Sequence, residues 1–302
     1  ALPIYPGNLV VSVVMLAGLT AATVLHHNSR GNDIEVDTQY NHVRIFDTEY
    51  WISGEPIRVM KVNDEYSSAM FPGSDSLVYE YTWYYRLAGH FNPGFRSALL
   101  LGGAGYSYPK YYLGRYPHAT IDVVEIDPGL TALAKEHFGL ADDPRLRIFH
   151  EDARTFLNRH DGTYDVILGD AYKSLLAIPF QLTTLEAVRL KYGMLSDEGL
   201  VIENLIASLD GPASTFLKAQ YATFREVFPR VYLFACHEPE NREMLQSISL
   251  VALKSPEEPS FNSGDSLINA LLGHRVLLQL SGDPVILTDD HAPVEYYAMK
   301  AL

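Results

Sequence analysis

The feature that most constrains this chain is Ala98-Leu-Leu-Leu-Gly-Gly-Ala-Gly-Tyr106, an apolar run that breaks into glycines, followed by Val123-Val-Glu-Ile-Asp127. A buried strand that turns sharply through glycine toward a helix, then a second strand ending in an acid, is the pattern of a nucleoside-binding βαβ unit. Gly102, Gly103 and Gly105 let the backbone approach a ligand closely, with helix amides facing it. Glu125 ends the second strand, where a carboxylate can accept both ribose hydroxyls, or else stands as a solvated strand-end acid. A dinucleotide fingerprint would place a third glycine three residues after Gly105, where Tyr108 stands, so hydride transfer is disfavoured.

Around this unit, strand and helix patterns alternate. Strands are expected at Ser97–Leu101, Thr120–Ile126, Leu146–His150 and Tyr164–Leu168, with helices near Tyr108–Arg115 and over Gly129–Phe138 and Ala153–Arg159. Such alternation predicts an α/β, Rossmann-type fold with a mostly parallel sheet and crossover helices. The pattern continues through Leu185–Tyr192, Leu200–Asn204 and Ala213–Phe228, with a late antiparallel pair at Val231–Ala235 and Ile248–Ala252. Upstream, Asp37 to Val62 alternates polar with β-branched or aromatic residues and reads as a small antiparallel sheet. Ser76 to Leu87 is aromatic at helical spacing. The expected division is an apolar helix over 1–33, a β-hairpin domain over 34–75 and a nucleoside-binding catalytic domain over 76–302.

With 302 residues, 47% of them hydrophobic, the chain can bury a full core. A net charge of −14 opposes a nucleic-acid partner and suits cationic ligands such as a sulfonium or a polyamine, or simply reflects an acidic soluble surface. The one cysteine, Cys236, excludes an internal disulfide and a cysteine-based zinc site and reads as a core residue. The uncharged run Leu9–Leu25 lies at the short limit of about 17–25 residues for a bilayer span. It reads as a membrane helix or its remnant, or as an amphipathic helix packed on the domain or used for dimerisation.

Two further acids follow strands at the carboxyl end of the expected sheet. Asp152, in His150-Glu-Asp-Ala153, suits an adenine amino group and equally suits a helix N-cap. Asp170, after Asp165-Val-Ile-Leu168, borders the expected ligand crevice, where it could deprotonate an amine, bind a cation or cap a helix.

The succession of the Tyr40-containing hairpin, Asp75-Ser-Leu-Val-Tyr79-Glu80, Leu101-Gly-Gly-Ala-Gly105, Val124-Glu-Ile-Asp127, Glu151-Asp152-Ala153 and Tyr164-Asp-Val-Ile-Leu-Gly-Asp170 resembles the spermidine synthase family from about Glu35 to Leu253. The tail Ile286-Leu-Thr-Asp-Asp-His-Ala-Pro-Val-Glu-Tyr296 is similar to the branch fused to membrane segments. The resemblance implies a methyltransferase-like domain preceded by a small β-domain. It implies transfer of the aminopropyl group of decarboxylated S-adenosylmethionine to an amine, with release of methylthioadenosine and no metal. It makes Glu125 the ribose ligand, Asp152 the adenine contact, Asp170 the base, Tyr79 a wall of the amine pocket, and Glu80, Lys173 and Asn204 substrate contacts. A homo-oligomer and a cytoplasmic catalytic domain are expected, membrane-attached if Leu9–Leu25 inserts.

An acid of the family pattern is absent at two positions, and Asn41 stands where a glutamine is usual. Ala104 stands where an acid commonly holds the aminopropyl ammonium, and Lys173 stands where a second acid binds the acceptor. Lys173 could instead pair with the carboxylate of intact S-adenosylmethionine, which opens a lyase or cyclase reaction without an acceptor. Methyl transfer and a non-catalytic nucleoside-binding module are the other readings. Asp289, Asp290, His291 and Glu295 form a polar cluster better suited to structural anchoring than to a metal.

Overall fold

Short β-branched stretches separated by turn residues build the first sheet, in order β1 (Ile34–Asp37), β2 (His42–Glu49), β3 (Pro56–Val62) and β4 (Glu65–Met70), all antiparallel. The computed structural model describes residues 33–171, 178–280, 282 and 284–300; Leu9–Leu25 and Lys173 lie outside them. Strand β4, which the alternation up to Val62 did not announce, follows from Asn63 and Asp64 at φ 51° and 68°. Two consecutive left-handed residues make the tight hairpin turn that pairs Val62 with Glu65. Alternate residues Val43, Ile45, Met60 and Val62 are buried in one apolar cluster with Leu100, Tyr106 and Phe138, so this sheet packs on the next layer.

The aromatic stretch departs from the helix expected over Ser76–Leu87. Leu77 is held extended by a bridge to Met70, and a 3-10 helix, Glu80–Arg86, leads into α1 (Leu87–Phe91). The tighter winding buries the adjacent Tyr84 and Tyr85 together.

The main domain follows as β5 (Ser97–Leu101), α2 (Ser107–Arg115), β6 (Thr120–Val124), α3 (Pro128–His137), β7 (Leu146–Phe149), α4 (Ala153–Arg159), β8 (Tyr164–Gly169), α5 (Leu185–Gly193) and β9 (Leu195–Ala207). Then come α6 (Thr215–Arg225), β10 (Arg230–Ala235), β11 (Gln246–Leu253), α7 (Ser266–Gly273), β12 (Arg275–Val276) and α8 (Val294–Met299). Among the described residues they form an eight-stranded sheet of order β12-β10-β11-β9-β8-β5-β6-β7. Strands β5 to β9 pair in parallel, and β9, β11, β10 and β12 pair antiparallel. Both faces are covered: Leu100, Val123, Leu168 and Ile202 enter one core, and Leu99, Leu101, Val124, Ile167 and Val201 enter the other. Burial on two sides explains the unbroken apolar run at 98–101.

Strand β5 lies between β6 and β8, so successive crossovers leave it in opposite directions. Ligands of such sheets bind at the carboxyl ends of the strands flanking that reversal. Here those ends carry Gly102 and Asp170, joined by Asp170 N–H donating to the Leu101 carbonyl at 2.9 Å.

Within the C-terminal polar cluster, Asp289 is an anchor. Arg154 grips Asp289 with two nitrogens at 2.9 and 2.6 Å, and the Thr184 hydroxyl donates to the same carboxylate at 2.7 Å. Among the described residues no helix is long and apolar enough to cross a membrane.

Candidate active site

The glycine turn is a left-handed excursion. Gly102, Ala104 and Tyr106 have φ of 99°, 43° and 56°, so the amides of Gly103 and Ala104 point the same way. Both donate to Glu125 Oε2, at 2.8 and 3.1 Å, while Oε1 accepts from Asp127 N–H at 2.9 Å. Glu125 sits just past the end of β6, and its carboxylate is fixed by three amides before any ligand arrives. Replacing Glu125 with Gln puts an NH2 against at least one of these donors. Hydrogen bonds to a charged group contribute about 1.5–3 kcal/mol, so Glu125→Gln is expected to lower the stability of the folded chain by about that much, read from denaturant midpoints.

Gly105 lies apart from the cavity. Its amide donates to Ser68 Oγ at 2.9 Å, and a Cβ there would sit 2.7 Å from Ser68 Cβ and 3.0 Å from the Phe138 ring. Close packing of the turn on the first sheet, rather than approach to a ligand, accounts for this glycine. Asp152 caps α4 through Thr155 N–H at 2.9 Å and also lines the cavity, so the two uses weighed for it are geometrically compatible.

One cavity of about 500 Å³ collects Gly102, Gly103, Glu125, Asp152 and Asp170 with Tyr79, Glu80 and Asn204. Asp170 lies deep in it. Tyr81 donates its hydroxyl to Oδ2 at 3.0 Å, and Asn204 Nδ2 donates to Oδ1 at 3.2 Å. Burial pushes the Asp170 carboxyl up to about 6, against the opposing pull of the bonds from Asn204 and Tyr81. Among the described residues, Asn204 Oδ1 beside it and Tyr79 Oη elsewhere on the cavity wall are buried without a hydrogen-bond partner, and the Tyr85 hydroxyl faces the carboxylate. Buried orphans are uncommon in folded proteins, and one beside a carboxylate on a cavity wall marks a place for a polar ligand.

Farther along the same wall, His237 Nδ1 lies 2.6 Å from Glu80 Oε2. His237 carries no signal in the sequence, because its place just past β10 and beside Glu80 depends on the antiparallel half of the sheet. Tyr81 was legible only as an aromatic face; its hydroxyl contact to Asp170 follows from the 3-10 winding. Among the described residues no group of three or more His, Cys, Asp or Glu could hold a metal ion. Cys236 is buried.

The chain is related in sequence to polyamine aminopropyltransferases. It is 31% identical over 163 residues to the polyamine aminopropyltransferase of Vibrio vulnificus, covering 53% of this chain and 52% of that one. It is 29% identical over 226 residues to the probable polyamine aminopropyl transferase of Bifidobacterium longum, covering 68% and 50%. The chain thus spans about half the length of these curated relatives. A probable spermidine synthase from Corynebacterium glutamicum superimposes with a TM-score of 0.66 at 25% identity, covering 79% of this chain and 85% of that one. The human methyltransferase-like protein 13 in complex with SAH superimposes with a TM-score of 0.50 at 20% identity, covering 63% and 84%, and shares the fold. No family model matches the chain.

Proposed function

We propose that this chain is an aminopropyltransferase-type enzyme that moves the alkyl group of a decarboxylated S-adenosylmethionine onto an amine. The observation that carries this reading is Asp170, a carboxylate with a raised pKa held by Tyr81 and by Asn204, whose side-chain oxygen is buried without a partner among the described residues, in one cavity with a preorganised Glu125. In this reading Glu125 holds the ribose hydroxyls, Asp152 the adenine amino group and Asp170 the attacking amine. The unpartnered Asn204 Oδ1 accepts from the nitrogen that Asp170 deprotonates, Tyr79 walls the amine pocket, and Glu80 faces the acceptor's far end.

An alkylammonium titrates near about 10 and must lose a proton before it can attack carbon. Raising Asp170 toward 6 narrows the proton-transfer gap. The freed lone pair forms a C–N bond at the carbon beside the sulfonium as the C–S bond breaks. The C–S electrons return to sulfur, giving the neutral thioether methylthioadenosine, and one proton leaves overall. Holding donor and acceptor in line supplies much of the remaining acceleration.

A second reading, elimination or cyclisation of intact S-adenosylmethionine, is favoured by one observation. Ala104 presents a methyl group to the cavity where the resembled family carries an acid. Mass spectrometry of the amine products separates the two. Aminopropylated putrescine formed only when decarboxylated donor and putrescine are both supplied is the expected result. Consumption of intact donor without amine would establish the second reading, and no consumption of either donor would leave a binding module.

A further inference from the structure

Behind the sheet from the cavity, two oppositely charged side chains are buried together. Lys191 of α5 is 1% exposed and Glu203 of β9 is 7% exposed, with Nζ 2.6 Å from Oε1. Lys191 also donates to the Leu182 carbonyl at 3.1 Å. Desolvating two such charges costs about as much as their attraction returns, so stability alone is a poor reason for the pair.

The location supplies a better one. Glu203 is the register partner of Gly169, and a Cβ on Gly169 would lie 1.8 Å from Glu203 Oε2. The carboxylate therefore rests on the backbone immediately before Asp170. The next residue in β9, Asn204, points to the opposite face and donates to Asp170 Oδ1. Because Lys191 takes Oε1 while Oε2 lies against Gly169, the pair turns its negative end toward Asp170. A void of about 20 Å³ beside it is lined by Gly169, Lys191, Glu203 and Gln220, whose side-chain oxygen has no hydrogen-bond partner among the described residues.

We infer that Lys191 and Glu203 are positioning residues for Asp170, holding the Gly169–Asp170 backbone and Asn204 in register and setting the charge that the Asp170 carboxylate faces from behind. The catalytic use of Asp170 rests on the proposed function; the positioning itself does not. The groups that face Asp170 are Tyr81 and Tyr85 from the 3-10 helix and Asn204 and Glu203 from β9, with Lys191 of α5 behind Glu203. Of these, Glu203 is the one whose charge raises Asp170.

The test is a carboxyl-carbon NMR titration of Asp170 in the whole chain, its resonance assigned with Asp170→Asn. In Glu203→Gln the Asp170 midpoint is expected to fall by about 0.5–1 pH unit, since a negative neighbour is removed. The acid limb of kcat/KM should move down with it. If Glu203→Gln does not fold, the double variant Lys191→Met with Glu203→Met replaces the pair by apolar side chains of similar length. Its Asp170 midpoint is expected to fall in the same direction. An unchanged midpoint in a folded variant overturns the inference, whatever happens to thermal stability. The titration needs no substrate, so absence of aminopropyl transfer in the parent protein would overturn the proposed function and leave this result standing.

Discussion

Asp170→Asn is expected to lower turnover by about 10³-fold or more, in the upper part of the range for removing a general base, while making the folded protein more stable. The opposite signs have one cause. The folded carboxyl titrates at about 6 and its ordinary value is 3.8, so the folded state keeps a proton that the unfolded chain has released. Stability from this group therefore falls as pH rises from about 4 to about 6, and the full penalty applies above that window. Asn is neutral throughout and fills nearly the same volume, so above pH 6 the variant should gain up to about 3 kcal/mol, read from denaturant midpoints. In the parent enzyme kcat/KM should decline below about pH 6 as Asp170 takes up its proton. A variant with unchanged turnover would remove Asp170 from the chemistry; loss of both stability and turnover would make it a structural anchor.

The second large effect is expected at the turn itself. A Cβ on Gly102 would lie 2.4 Å from the Asp170 carbonyl oxygen and 2.9 Å from its carbonyl carbon, at a φ of 99° that side-chain-bearing residues rarely adopt. Neither partner is a flexible side-chain end, so relief requires β5 and β8 to part at Leu101–Asp170, where one backbone hydrogen bond already joins them. Gly102→Ala should therefore cost about 3–5 kcal/mol, combining left-handed strain and overpacking. Gly114→Ala is the control: this glycine lies within α2, with open space around it and no left-handed backbone. Alanine there should be neutral or stabilise by about 1 kcal/mol. Thermal melts of the two variants check the contrast, and equal midpoints would contradict the role given to the turn.

Much of this architecture was legible because burial on both faces writes itself into the sequence. The apolar runs at 98–101 and 166–168 became central parallel strands, and Glu125 and Asp170 emerged where such strands end. The first sheet was only partly legible, since β4, Glu65–Met70, lacks a β-branched pattern and owes its place to the Asn63-Asp64 turn. The 3-10 helix was read as an ordinary helix because aromatic spacing does not distinguish the two, and the Leu77 bridge that delays it is a long-range pairing. For the same reason the Lys191–Glu203 pair was invisible. Lys191 lies on a helix and Glu203 on the following strand, and only the packing of α5 behind β9 brings them together. Gly105 shows the converse: its place in a glycine motif suggested ligand approach, whereas the packing of Ser68 and Phe138 explains it.

The most direct test of the central claim is identification of the nucleoside released when the protein is incubated with decarboxylated S-adenosylmethionine and putrescine, and separately with intact S-adenosylmethionine. Methylthioadenosine, formed in step with the aminopropylated amine and lost in Asp170→Asn, is the expected result. Adenosylhomocysteine from the intact donor, with no methylthioadenosine from either, would contradict it and make the cavity a methyltransferase site.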